Sequence, residues 1–306
     1  MASVVPGCTA ALVAFRFGRG KLWLVAEYTV TFNFDGLHLG LSARTGRILE
    51  RAAFLLTEIH GAERNSGLLP KVQGPAIPVQ LTPRPLEEVQ GESERWVIAS
   101  ALRDCIEEIS LFLEKTRELC AAVALFEHAS VPAERWNDLV VGPARGFGKL
   151  NFPDKLAFLR TAYGEDLLPQ SIEHIATLNA ARNCLVHRHG VAGADDCKTS
   201  DCLTVKWRSF ELHGRAPDGT EFPLVPLQTL VAQTQVFMRY GTVERVFKLG
   251  DTISFTPADL SGIWLTLHFF GAATAENVVK LAKAKGLVVN APEAPEGPAA
   301  TAEVTE

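Results

Sequence analysis

The chain has no apolar run long enough to cross a bilayer. About 18 consecutive apolar residues are needed. The longest candidate, residues 262–273, is interrupted by His268 and two glycines. No membrane partner is therefore expected. The opening residues, Met1-Ala2-Ser3-Val4-Val5-Pro6, lack a basic stretch followed by an apolar one, so no secretory signal is expected. Cysteine is sparse, with six in 306 residues. That excludes a disulfide scaffold and points to a reducing, cytoplasmic compartment. An excess of positive charge is missing as well: 30 Lys and Arg face 35 Asp and Glu, a formal net charge of −5. A general nucleic-acid coat needs a strongly basic surface and is excluded. An enzyme that grips RNA through one local patch is not. A phosphate-cradling glycine loop is also lacking. Gly146-Phe147-Gly148 neither follows a Rossmann-type strand nor precedes a Walker Gly-Lys-Ser/Thr. No internal repeat is found.

What the chain does have is apolar mass, 47% of its residues, which is enough for a core and excludes full disorder. The pattern predicts a mainly α fold with β additions. Residues 1–65 read as a β/α segment. Tyr28, Val30, Phe32 and Phe34 alternate with Glu27, Thr29, Thr31 and Asn33, Asp35-Gly36 reads as a turn, and 43–61 reads as a helix. Residues 66–93 carry Pro70, Pro75, Pro78, Pro83 and Pro85 and read as a linker. Residues 94–127 form the strongest helical pattern. Ile98, Leu102, Cys105, Ile109, Phe112, Thr116, Leu119, Val123 and Phe126 recur in 4-3 alternation, and Ala99, Ile106, Leu113 and Cys120 add a second row. So wide a seam must be buried against other helices of the chain or against a second copy. A glycine-bearing loop at 141–149 follows, then a helix from Pro153 to Gly164 and another over about 170–188.

Past Gly190, residues 191–288 change character. Leu203, Val205 and Trp207 alternate with Thr204, Lys206 and Arg208, Pro217-Asp218-Gly219 is a hairpin turn, and Phe247–Phe255 reads as a short strand. Thr256-Pro257-Ala258-Asp259 starts a last helix that runs to about 285. Residues 289–306, rich in Ala, Pro, Glu and Thr, read as a disordered tail.

The chemistry concentrates on the 170–188 helix. With Ile172 at 0° and about 100° per residue, Ile175, Leu178, Leu185 and Val186 form one stripe. Arg182 falls in its middle, Asn183 and His187 fall on its edge, and Cys184 falls on the far side. An interior arginine must snorkel, meet a carboxylate, or line a cleft or subunit interface. His187 sits in the last turn, where the partial negative charge of the helix end favours its protonated form. An imidazole that titrates near neutrality suits proton transfer. A guanidinium fork, an amide and an imidazole on one surface fit an anion undergoing acid–base chemistry, and a phosphodiester matches the fork.

Arg182-Asn183-Cys184-Leu185-Val186-His187 resembles the Arg-polar-x3-His signature of the HEPN superfamily (higher eukaryotes and prokaryotes nucleotide-binding domains). The resemblance covers residues 94–190, which would form the family's helical bundle, flanked here by β-containing N- and C-terminal segments. It implies metal-independent RNA cleavage with no cofactor. Arg182 would hold the phosphate and stabilise the transition state, His187 would transfer protons, and Asn183 would orient His187 or a phosphate oxygen. It also implies a homodimer whose two motifs face one cleft, and a bacterial toxin or anti-phage effector with an antitoxin or defence-system partner. His189 falls within the permitted interval from Arg182, so the catalytic histidine is His187 or His189, with His187 favoured because it remains in the helix. Arg188 and His189 are candidate substrate contacts. The chain reads His187-Arg188-His189, and so lacks the tyrosine that antitoxins modify in one toxin subgroup. Arg145, Lys149, Lys155, Arg160, Lys206 and Arg208 would extend an RNA-facing patch with Arg188 if folding gathered them. Two other readings stand beside this one. The first is a non-catalytic scaffold, as some members of the family are. The second is a zinc site among Cys184, His187, His189, Asp195, Asp196, Cys197 and Cys202, whose residue types fit but whose spacing matches no common pattern.

Overall fold

A computed structural model describes residues 8–12, 26–30, 33–61, 84–126, 140, 142–197, 201–225, 229–230 and 233–287. Strands β1 (Cys8–Leu12) and β2 (Ala26–Val30) pair antiparallel, Ala10 opposite Tyr28. Helix α1 (Phe34–Gly61) follows. It begins nine residues before the expected 43. Asn33 Oδ1 accepts the Gly36 N–H at 2.7 Å, which satisfies a first-turn donor. A Cβ on Gly36 would come within 2.9 Å of that side chain. Asp35-Gly36 is thus the first turn of a capped helix rather than a reverse turn. Leu37, Leu41, Thr45, Ile48, Ala52 and Leu56 make the buried stripe.

Helix α2 (Leu86–Phe126) is 41 residues long. It overturns the end of the expected linker, because residues 86–93 are helical. Pro85 stands at the helix start, where a missing N–H costs nothing, and its carbonyl accepts from Glu88 and Val89 N–H at 3.2 Å. Glu87 and Glu88 suit the positive end of the helix dipole. The other prolines of the expected linker, 70, 75, 78 and 83, lie outside the described residues, as does the 289–306 tail. Ile98, Leu102, Cys105, Ile109, Phe112, Thr116 and Val123 are buried, and so are Ile106, Leu113 and Cys120 of the second row.

The expected loop at 141–149 contains a short helix, α3 (Gly142–Gly148). Helix α4 (Phe152–Tyr163) is capped by Asn151, has Pro153 in its first turn and closes at Gly164, whose φ of 106° lies in the left-handed region. Helix α5 (Ile172–His187) carries the motif. Strands β3 (Cys202–Arg215), β4 (Glu221–Pro223) and β5 (Gln235–Lys248) form one antiparallel sheet in the order β4-β3-β5. Helix α6 (Pro257–Ala284) opens on a reciprocal Thr256–Asp259 capping box. The Phe247–Phe255 strand is not found as such. Residue 247 belongs to the end of the long β5, and the Phe255 ring packs on Trp207 at 5.7 Å.

Helices α1, α2 and α6 pack on one another, so the α2 seam is filled within the chain. Phe112 meets Phe270 edge-on at 6.0 Å. Gly271 lets α6 approach α1, since a Cβ there would lie 2.7 Å from Leu41 Cδ2. The buried core runs from Leu37 to Val278 and crosses the boundaries expected at 65/66, 93/94 and 190/191. On the sheet, Leu203, Val205 and Trp207 are buried while Thr204, Lys206 and Arg208 are not, as the alternation predicts.

One polar cluster interrupts the α1–α6 seam. Ser42 Oγ lies 2.9 Å from His268 Nδ1 and 3.2 Å from His38 Nε2. Burial holds His38 below the ordinary histidine range, His268 pushes it further down, and Asp35 pulls the other way. Burial, then Arg208, depresses His174. A histidine depressed in the folded state contributes full stability above its unfolded value of about 6.5. That stability is lost as pH falls through the folded value. Urea midpoints should therefore fall between pH 7 and pH 5, and His38→Gln should make the decline shallower. An unchanged slope would remove His38 from the acid response.

Candidate functional site

Helix α5 packs against α2 and against β3, so its buried arc is broader than one stripe. Ile172, Ile175, Leu178, Ala181 and Cys184 are all buried. Cys184, expected on the far side, is fully buried, and Val186, expected in the stripe, is 40% exposed. Arg182 consequently lies at the edge of the buried arc instead of its centre, with its side chain 22% exposed.

The arginine meets a carboxylate, one of the three expected resolutions. One terminal guanidinium nitrogen donates to Glu107 Oε1 on α2 at 3.2 Å, and the other donates to Asn183 Oδ1 at 3.0 Å. Its Nε is buried and has no hydrogen-bond partner among the described residues. Asn183 therefore orients Arg182 and not His187. His187 occupies the last residue of the helix and is exposed, with no ring partner among the described residues. Arg188 and Gly190 N–H both donate to the Cys184 carbonyl, at 3.0 and 3.1 Å, and close the helix. His189 and Gly190 take φ of 52° and 76° as the chain turns away.

Arg188 is committed elsewhere. Its Nε donates to Asp196 Oδ2 at 2.7 Å, and a second nitrogen pairs with Oδ1. The same carboxylate accepts the Gly193 N–H at 2.9 Å, and its side chain is only 3% exposed. This fork holds the 188–197 loop against the helix end and commits the Arg188 guanidinium to Asp196. The Cys184 thiol is pushed up by burial and by Asp196, and Arg188 pulls it the other way. It is an inert core thiol.

Of the seven cations of the expected basic patch, Lys155, Arg160, Arg188 and Lys206 have carboxylate partners, Lys149 is exposed, and Lys206 and Arg208 both lie near His174. Lys155 is buried against Glu114 at 2.7 Å, Lys206 pairs with Glu244 at 3.0 Å, and Arg160 lies 3.6 Å from Glu165. Arg208 sits over the Phe269 ring, and the Arg145 side chain lies outside the described set. Among the described residues, no three His, Cys, Asp or Glu side chains converge as metal ligands, so the seven residues of the zinc reading do not form a ligand set. Two partners escaped the sequence reading. Glu107 carried no local signal, because nothing in α2 marks which of its carboxylates faces Arg182. Asp196 was visible only as a possible ligand, although a carboxylate just past two glycines and eight residues after Arg188 could have been read as its partner.

Loss of Asp196 leaves the Arg188 fork unpaired. Asp196→Ala should cost about 1–3 kcal/mol in urea unfolding, while Asp195→Ala, an exposed neighbour, should stay within about 0.5 kcal/mol. Equal effects would show that the fork does not hold the loop.

No protein family, no curated protein and no solved structure matches the chain. Its function is therefore argued from its own residues.

Proposed function

We propose that this protein is a metal-independent endoribonuclease acting through Arg182 and His187. The observation that carries the reading is Arg182. A mostly buried guanidinium is held by Asn183 at the solvent edge of a helix whose last residue is an exposed histidine. In the reaction, the ribose 2′-hydroxyl gives up its proton to a base as its oxygen attacks the adjacent phosphorus and forms the new P–O bond. The bond from phosphorus to the 5′-oxygen breaks, and a proton is delivered to that leaving oxygen. Arg182 stabilises the negative charge on the non-bridging oxygens of the pentacoordinate transition state. His187 carries a proton. The products are a 2′,3′-cyclic phosphate and a 5′-hydroxyl.

Five residues at 100° each set Arg182 and His187 about 140° apart around the helix. A homodimer that places the two helices across one cleft brings an arginine of one copy opposite a histidine of the other. That geometry, and a toxin or anti-phage role with an antitoxin or defence-system partner, belong to the proposal. Among the described residues no helix is long and apolar enough to cross a membrane. Five described cysteines are free thiols, which supports a reducing compartment such as the cytoplasm.

A second reading, a non-catalytic scaffold, is favoured by the charge pairing. Glu107 already neutralises Arg182, and Asp196 neutralises Arg188. Cleavage of single-stranded RNA in EDTA decides between the two. Arg182→Ala and His187→Ala should each lower the rate about a hundredfold or more. No cleavage by wild type, or equal cleavage by all three proteins, would leave the scaffold reading. Because phosphate and Glu107 compete for one guanidinium, Glu107→Gln should tighten RNA binding severalfold. Weaker binding would place Glu107 on the substrate's side instead.

A further inference from the structure

Beside the end of α5 lies a pocket of about 500 Å³. Its floor is apolar, built from Ile98 of α2, Leu185 of α5, and Ile253 and Phe255 of the segment before α6. Its walls are pinned by backbone bonds. Ile253 N–H donates to the Gly190 carbonyl at 2.7 Å, Ala192 N–H donates to the Asp251 carbonyl at 2.9 Å, and Val191 bridges to Thr252. One wall carries His189, a residue with a Cβ held at φ 52°. Such strain persists only where the surroundings enforce it, and it gathers at binding sites.

The rim holds two unusual neighbours. Trp96 is 67% exposed, more than any other large apolar side chain in the described residues. An indole left in water forgoes burial that a ligand would restore. Arg95 is exposed beside it. Arg84 takes the hydrogen bonds of Glu88 and Glu92, and Arg95 interacts with Glu92 only through the longer-range attraction of their charges. Thr252, Ser254 and His189 add polar groups around the mouth. A flat aromatic face, an exposed cation and a few polar groups over an apolar floor are what a nucleotide requires. The base stacks, the phosphate meets the cation, and the base edge finds hydrogen-bond partners.

We propose that this pocket receives a base of single-stranded RNA, stacked on Trp96 with its phosphate on Arg95. The site is separate from the Arg182–His187 chemistry and fixes where the strand lies against it. The proposal takes from the ribonuclease reading only that the ligand is an RNA strand. A step of His187, Arg188 and His189 along the chain links the two sites, so a strand leaving the pocket reaches the helix end.

The test uses the full chain and a fluorescein-labelled 2′-O-methyl RNA decamer, whose blocked 2′-oxygens cannot attack. Fluorescence anisotropy gives the affinity, and an abasic strand of the same length is the second ligand. Trp96→Ala should weaken binding of the decamer at least fivefold. Trp96→Phe should stay within about twofold, because a phenyl face still stacks. Arg95→Ala should weaken both strands and flatten the salt dependence. The abasic strand should bind weakly and be indifferent to Trp96. Three results overturn the proposal: no binding of the decamer by wild type, equal binding by Trp96→Ala, or equal binding of the abasic strand. Cleavage assays separate this from the ribonuclease reading. Wild type that binds through Trp96 and cleaves nothing keeps the pocket and loses the nuclease. Wild type that cleaves with an affinity unmoved by Trp96→Ala does the reverse.

Discussion

The burial demand of α2 governs the structure. Two adjoining rows of apolar side chains along residues 98–126 of this helix cannot be covered by one partner. Leu102, Ile109, Phe112, Leu113, Cys120 and Val123 have no solvent exposure. Each buried Leu, Ile, Phe or Val contributes about 1.5–3 kcal/mol relative to exposure. Helices α1 and α6 supply that cover, although they come from opposite ends of the described chain. With those sides filled, the remaining flank of α2 faces α5. Ile98 then shares the pocket floor with Leu185, and Glu107 reaches Arg182. The placement of the candidate site follows from how α2 is packed.

The other constraint on α5 is the outer edge of β3. Along the helix-facing stretch, alternate N–H groups of β3 point away from β5 and need partners. Threonines on two helices provide them. Thr177 Oγ1 of α5 accepts the Lys206 N–H at 2.9 Å, and Thr266 Oγ1 of α6 accepts the Arg208 N–H at 2.7 Å. Gly262 makes the second contact possible, because a Cβ there would lie 2.7 Å from the Arg208 carbonyl. Held between α2 and this edge, α5 has little freedom to rotate. Its last turn projects at a fixed angle, a requirement for any site that must orient a phosphate.

Where local chemistry dictated structure, it was legible in the sequence. The Asn151 cap, the first-turn Pro153 and the Gly164 stop bound α4, and the Thr256–Asp259 box starts α6. The alternation of Leu203, Val205 and Trp207 marked the inner face of β3. Failures came where distant contacts decided. The alternating register up to Phe34 hid the Asn33 cap, so α1 was begun too late. A run of prolines masked the start of α2, although Pro85 sits where a helix tolerates it. Strand β5 was seen only at its end, because Val236, Met238, Tyr240 and Val246 are all exposed and leave no clean inward face. At the site, the need of Arg182 for a counter-charge was legible. The identity of Glu107 was not, since that contact joins positions 75 residues apart. The buried Cys184 was misplaced because a helix gripped from two sides has no single stripe.

The two arginines at this helix end differ in how firmly their partners hold them, and that difference decides which can do chemistry. Asp196 is 3% exposed, meets Arg188 with both oxygens and also caps Gly193. Removing Arg188 from it would strand a buried carboxylate, at a cost of several kcal/mol. Glu107 is 59% exposed and meets Arg182 through a single contact at 3.2 Å. Released, that carboxylate returns to water with little penalty, because an exposed ion pair is worth about 1 kcal/mol or less. On the ribonuclease reading, a phosphodiester with several acceptor oxygens would displace the exposed Glu107 more readily than the buried Asp196. On that reading, Arg182 would be the exchangeable cation of the pair and Arg188 the brace at the helix end.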